Sequence, residues 1–225
     1  MPYFFADRRG DEVVISGGDA RHLALSLRAR PGQSISVIQP EGKLLDVILE
    51  SVTAAQVRGR VVAEADHRPE PRARVTLGIA MLPAAALELV LSRCTEAGAA
   101  GFVLVQARRS VAKAAKAERW ATICREAAML AGRLRVPDVM GPMSLKEALA
   151  VSAPPFLLDR RSQGRLAWLH DPRDVTLFVG PEGGWTDDEL ALAEGHVVSL
   201  GPRNLRADTA ALTALAVALA ARGDV

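Results

Sequence analysis

The densest gathering of reactive residue types lies near the end of the sequence. An apolar run, Val175–Val179, leads into Gly180-Pro181-Glu182-Gly183-Gly184 and then Trp185-Thr186-Asp187-Asp188-Glu189. Glycines in such a turn let backbone N–H groups approach a ligand closely, because no Cβ intervenes. Thr186 and Glu189 stand at capping-box spacing and start a helix. The spacing is not GxGxxG and no Gly-Lys-Ser/Thr occurs, so neither a dinucleotide fingerprint nor a P-loop is present. A turn of this kind also serves as an ordinary strand-to-helix connection. A second loop follows a second apolar run, Val197–Leu200. It reads Gly201-Pro202-Arg203-Asn204-Leu205-Arg206, then Ala207-Asp208-Thr209-Ala210. Two arginines, Arg203 and Arg206, the acid Asp208 and the hydroxyl of Thr209 thus gather at the end of a strand, where a substrate site belongs in an α/β sheet. Asp208 and Thr209 equally suit the first turn of a helix.

These loops need a scaffold that brings strand ends together, and the sequence supplies one. After residue 72 the pattern alternates strand and helix. Strands are predicted at Val75–Met81, Phe102–Gln106, Phe156–Asp159, Val175–Val179 and Val197–Leu200. Helices are predicted at Ala84–Ala97, Glu118–Leu134, Asp187–Glu194 and from about Ala207 onward. Such alternation implies a parallel α/β sheet with its ligands at the carboxyl ends of the strands. The first part of the chain differs. Val13–Ser16, Ser34–Gln39, Leu44–Glu50 and Val57–Ala63 read as short strands separated by Gly and Pro turns, with a short helix pattern over Asp19–Leu27. This is a small barrel or barrel-like sheet. The polar, proline-bearing stretch His67–Arg72 is the best linker. It divides the chain into domains 1–71 and 72–225.

Composition removes several classes of function. Lys+Arg 28 against Asp+Glu 26 gives a net charge of +2, which excludes a strongly basic, non-specific polyanion binder but not a local arginine face. Aromatic residues are 4%, which argues against nucleic-acid binding on a stacked-ring platform. Cys94 and Cys124 stand far apart, outside any CxxC, and His22, His67, His170 and His196 lack metal-ligand spacing. Neither a disulfide framework nor a metal site is expected. Asp7-Arg8-Arg9 interrupts any leader-like apolar run, and no segment reaches membrane-spanning length. A cytoplasmic protein without membrane contact is the expectation.

Taken in order, GPEGGWTDDE (180–189) and LGPRNLRADTAAL (200–212) strongly resemble the bacterial small-subunit ribosomal RNA uridine-N3 methyltransferase family of the SPOUT superfamily. His22, Ser26-Leu27-Arg28, Pro31-Gly32-Gln33, Thr95-Glu96-Ala97-Gly98, Arg109-Ser110-Val111 and Gly132–Pro137 extend the resemblance over nearly the whole chain. It implies an α/β fold with an N-terminal PUA-like RNA-binding β-barrel and a C-terminal SPOUT methyltransferase domain carrying a deep trefoil knot. It implies S-adenosylmethionine as cofactor, 16S rRNA in the small ribosomal subunit as partner, and a homodimer. Carried over by position, cofactor contacts come from Leu158, Gly180, Gly183, Gly184, Leu200, Gly201, Leu205, Thr209 and Ala210. The sequence departs from the family pattern at Pro83-Ala84-Ala85, at Met129-Leu130 and at Asp208, where the family usually has Glu.

The implied reaction is methyl transfer to N3 of a uridine held out of base pairing. Arg206 is assigned to the charge that spreads to O2 and O4, and Asp208 to the N3 proton, with Glu182 as the alternative acid. RNA-backbone contacts are assigned to Arg21, Arg28 and Arg30 in the first domain and to Arg108, Arg109, Arg133 and Arg135 in the second. Two other readings remain: ribose 2′-O methylation by a related enzyme, and a non-catalytic RNA-binding factor on a degenerate knot.

Overall fold

A computed structural model describes residues 3–111, 116–168, 174–193 and 195–224. His170, considered above as a metal ligand, lies outside them. The chain divides into two compact units. The first is Met1–Glu70 with Ala128–Arg135, and the second is Pro71–Ala127 with Val136–Val225. The first unit's main stretch ends at Glu70, inside the polar stretch His67–Arg72, and Ala128–Arg135 belongs with it.

Among the described residues, the first unit holds a six-stranded sheet in the order β1-β4-β5-β6-β3-β2. Its strands are β1 (Phe4–Phe5), β2 (Asp7–Arg9), β3 (Glu12–Ser16), β4 (Ser34–Gln39), β5 (Lys43–Val52) and β6 (Gln56–Asp66). All neighbours pair antiparallel except β1 with β4. Register shifts between Asp46/Val47 and Leu49/Ser51 bend the long β5–β6 pair. Alternation turns Val13 and Ile15 inward to a core with Phe4, Leu23, Val37, Leu45 and Val47. Met129 joins that core at 6% exposure, which gives a packing reason for an apolar residue there. The stretch predicted as one helix over Asp19–Leu27 is two: α1 (Gly17–Arg21), then a wider π-helical turn at His22–Ser26. Strands β1 and β2 escaped prediction because two or three residues carry no periodicity.

Among the described residues, the second unit holds a six-stranded, all-parallel sheet in the order β12-β10-β11-β7-β8-β9. The strands are β7 (Val75–Ala80), β8 (Gly101–Val105), β9 (Asp138–Met143), β10 (Pro155–Leu158), β11 (Val175–Val179) and β12 (Val197–Val198). Central strand β11 is buried at every position, as a strand covered on both faces must be. One face packs against α2 (Ala84–Glu96), α3 (Ala117–Ala131) and α6 (Ala207–Ala220), burying Leu87, Val90, Trp120, Leu215 and Leu219. The other face meets α4 (Leu145–Ala150) and the segment around α5 (Asp187–Ala191), burying Leu145, Ala148, Phe178 and Trp185. Strand β9 and helix α4 were not predicted. Gly141-Pro142 reads as a break, yet β9 is the sheet's edge, where a proline costs no ladder bond. Helix α3 stops at Ala131, three residues before the predicted end, because Gly132 takes the left-handed conformation that terminates helices. Among the described residues, no helix is long and apolar enough to cross a membrane.

Candidate active site

Strands β12, β10 and β11 are neighbours, so the loops leaving their carboxyl ends converge. The loop after β11 is ordered by its own chemistry. The Gly184 N–H donates to the Pro181 carbonyl at 2.8 Å, and Gly184 has φ of +69°, a conformation that favours glycine. The predicted capping box is present: the Thr186 hydroxyl accepts the Glu189 N–H at 3.3 Å, and the Glu189 carboxylate accepts the Thr186 N–H at 2.8 Å. Trp185 lies over Gly180, where an added Cβ would stand 3.1 Å from the indole ring. A side chain at 180 would press on the indole, which would have to give by a few tenths of an ångström.

The loop after β12 turns at Gly201, with φ of +113°. The Ser199 hydroxyl accepts the Gly201 N–H at 3.0 Å and donates to its carbonyl at 3.2 Å. The loop after β10 carries Asp159 and Arg161. The Arg161 N–H and guanidinium both bond the Asp159 carboxylate, at 2.7 and 3.0 Å, and the same guanidinium reaches Asp187 at 3.1 Å. Arg161 thus ties the β10 loop to the first turn of α5. Burial alone would raise the Asp159 carboxyl, but the hydrogen bonds and charge of Arg161, with the charge of Arg160, outweigh it and hold the carboxyl below its ordinary range. The pairing with Asp159 raises the Arg161 guanidinium in turn.

Together these loops enclose a cleft of about 950 Å³. Its wall includes Leu158, Gly180, Glu182, Gly183, Gly184, Leu200, Gly201, Leu205, Arg206 and Ala210, all predicted. Arg109 lines it too, having been assigned to RNA. Sequence reasoning missed Trp185, Asp159, Arg160, Arg161, Asp187 and Asn204; Asp159 ends a predicted strand and Arg160-Arg161 follow it, which was the available signal.

The RNA methyltransferase domain family model matches residues 68–219. A ribosomal RNA small subunit methyltransferase E from Mycobacterium bovis is 33% identical over 224 residues, covering 92% of this chain and 85% of that protein. The namesake from Synechocystis is 34% identical over 220 residues, covering 91% and 71%. The chain belongs to the ribosomal RNA small subunit methyltransferase E family. Among solved structures, the family member from Neisseria gonorrhoeae, bound to S-adenosyl methionine, matches with a TM-score of 0.86 at 26% identity, over 96% of this chain and 95% of that one. A Legionella pneumophila protein solved with the same cofactor gives 0.88 at 27% identity, over 98% and 96%.

Against this family background, several predicted residues are placed differently from expectation. Asp208 and Thr209 do not line the cleft. They sit in the first turn of α6, where the Asp208 carboxylate accepts the Thr209 N–H at 2.7 Å and pairs with Arg206 at 3.2 Å. Arg133 does not meet solvent. It is 5% exposed, and its guanidinium pairs with Glu70 at 2.6 Å inside the first unit. The assignment of Arg133 to RNA is corrected accordingly: a guanidinium enclosed by its carboxylate partner cannot reach a phosphate. Arg108 pairs with Asp188 at 3.0 Å yet is exposed, as are Arg21, Arg28, Arg30 and Arg135. Arg28 takes φ of +51°, rare for a residue with a side chain.

Proposed function

We propose that this protein methylates N3 of a specific uridine in 16S rRNA, using S-adenosylmethionine. The observation that carries the reading is the convergence of three strand-end loops on one cleft, with two glycine turns on its wall and Arg206 at its edge. The cleft fits the cofactor on its own features. Gly180, Gly184 and Gly201 keep the wall free of side chains, and the volume is ample for a nucleoside-sized ligand. Leu158, Gly180, Gly183, Gly184, Leu200, Gly201, Leu205 and Ala210 would hold it. When bound, the cofactor supplies a methyl group made electrophilic by its sulfonium.

The chain's own residues then have distinct tasks. Arg206 stabilises the negative charge that N3 deprotonation spreads to the uracil oxygens. Of the carboxylates on the cleft wall, Asp159 and Asp187 are paired with Arg161, which leaves Glu182 as the better candidate to accept the proton. Asp208 holds Arg206 in place. The exposed arginines of the first unit, read as a PUA-like barrel, dock RNA phosphates. The knotted SPOUT topology, a homodimer and a cytoplasmic location belong to the same reading and rest on the family resemblance.

Incubation of the protein with small ribosomal subunits and S-adenosylmethionine, followed by nucleoside digestion and mass spectrometry, tests the proposal. N3-methyluridine is the expected product. A ribose-methylated nucleoside would replace the reading with 2′-O methylation. No product, and no cofactor binding by calorimetry, would favour a non-catalytic RNA-binding factor.

A further inference from the structure

We propose that Arg109 is a positioning residue of the cofactor cleft, and that the segment following β8 is a clamp that sets the shape of the glycine loop. The inference rests on the reading of that cleft as the S-adenosylmethionine site. Its basis is the way one peptide unit is held. Arg109 Nη1 donates to the Gly183 carbonyl at 2.7 Å. The N–H of the same peptide, that of Gly184, donates to Pro181 at 2.8 Å. Both ends of the Gly183–Gly184 peptide are therefore fixed. Two adjacent glycines have no Cβ to limit rotation, so an unheld peptide here would sample flipped orientations. A flip would turn the carbonyl where an N–H belongs.

The stem of Arg109 contributes a second restraint. Its methylenes lie over Gly183, such that a Cβ on residue 183 would come within 3.2 Å of Arg109 Cδ. The clamp also grips the far side of the loop. The Arg108 N–H donates to Glu189 Oε1 at 2.9 Å, while the other Glu189 oxygen closes the capping box. Glu189 is 5% exposed, so its carboxylate is committed to these N–H groups. The β8 segment thus holds the glycine loop at Gly183 and its helix at Glu189. A lysine would retain the positive charge but lacks the planar fork that bonds a carbonyl while its stem covers a glycine.

Calorimetric titration of the RNA-free full chain with S-adenosylmethionine tests this. Arg109→Ala and Arg109→Lys should each raise Kd roughly ten-fold, the loss expected for one hydrogen bond from a charged donor. The unfolding midpoint of each should move by no more than about 2 °C, as for an exposed side chain. Gly183→Ala should raise Kd in the wild-type background and add little to Arg109→Ala, because its methyl then displaces nothing. In the cofactor-free protein, the Gly184 amide should exchange faster in Arg109→Ala. Wild-type affinity in Arg109→Ala, full rescue by Arg109→Lys, equal cost of Gly183→Ala in both backgrounds, or unchanged Gly184 exchange would each overturn the proposal. A wild-type chain that binds no S-adenosylmethionine would overturn the cofactor reading and this inference with it. Tight cofactor binding with a shallower salt dependence of RNA affinity in Arg109→Ala would instead return Arg109 to RNA contact.

Discussion

The Asp208 carboxylate lies 3.2 Å from the Arg206 guanidinium, and its other oxygen accepts the Thr209 N–H at 2.7 Å. Arg206 lines the cleft and Asp208 does not. On the proposed reading of the cleft, the acid acts through the arginine, as a positioning residue. Asp208→Asn keeps a hydrogen-bonding side chain without the charge. It is expected to lower kcat roughly ten-fold while leaving KM for S-adenosylmethionine unchanged. Glu182→Gln should cost kcat roughly 100-fold or more, the scale of losing a general base. Single-turnover transfer to small subunits measures both, and the opposite ranking would restore Asp208 as the proton acceptor.

Arg133 and Glu70 form an ion pair inside the first unit, and Glu70 also accepts the Leu134 N–H at 2.9 Å. Arg133→Ala leaves Glu70, which is partly exposed, with the Leu134 N–H alone. It should destabilise the protein by about 2 kcal/mol, the scale of a charged hydrogen bond, read as a lowered denaturation midpoint. At temperatures where the variant is folded, its RNA affinity should match the wild type.

Asp159 makes the stability of the fold depend on pH at the acid end. Its carboxyl lies below the ordinary range in the folded protein, so the unfolded chain holds that proton more readily. The link to Arg161 therefore contributes stability above the ordinary aspartate range, near roughly 3.9, and loses it as pH falls through the lower folded value. Thermal midpoints followed from pH 7 to pH 3 should fall less steeply at the acid end in Asp159→Asn than in the wild type.

Arg21, Arg28 and Arg30 are exposed on the first unit. If each contacts one phosphate, each alanine substitution should reduce the slope of log affinity against log salt by roughly 0.7–0.9. Filter binding to a small-subunit RNA fragment over a salt series measures this. An unchanged slope in all three variants would move the RNA face elsewhere.

Cys94 is fully buried in the second unit, and burial pushes its thiol up to about 12. Only the thiolate reacts. Ellman's reagent should leave Cys94 unmodified in the folded protein at pH 7 and modify it promptly in denaturant. Modification of folded protein would show that this core opens.

Much of the cleft could be read from the chain alone, because its parts are local. Gly184 and Gly201 mark left-handed turns, Thr186 and Glu189 stand at the spacing of a capping box, and Val175–Val179 is an apolar run bounded by glycine. Each signal is carried by residues within a few positions of one another, and backbone sterics translate it directly into shape. The two C-terminal motifs likewise located nine residues of the cleft wall, and the family resemblance added Leu158.

Which way a side chain faces is settled at longer range. Arg133 looked like any solvated arginine until Glu70, 63 residues earlier, enclosed it. Arg109 was assigned to phosphate by residue type, and only the folded chain shows its guanidinium on the Gly183 carbonyl, 74 residues later. Ser144 and Glu147 carried the capping-box signature of helix α4 in plain view, but the preceding Gly141-Pro142 obscured the strand beside it. Backbone sterics fix turns and caps wherever the right residues follow one another. The burial of a charge, or its choice of partner, depends on which distant segment arrives beside it, and only the folded chain decides that.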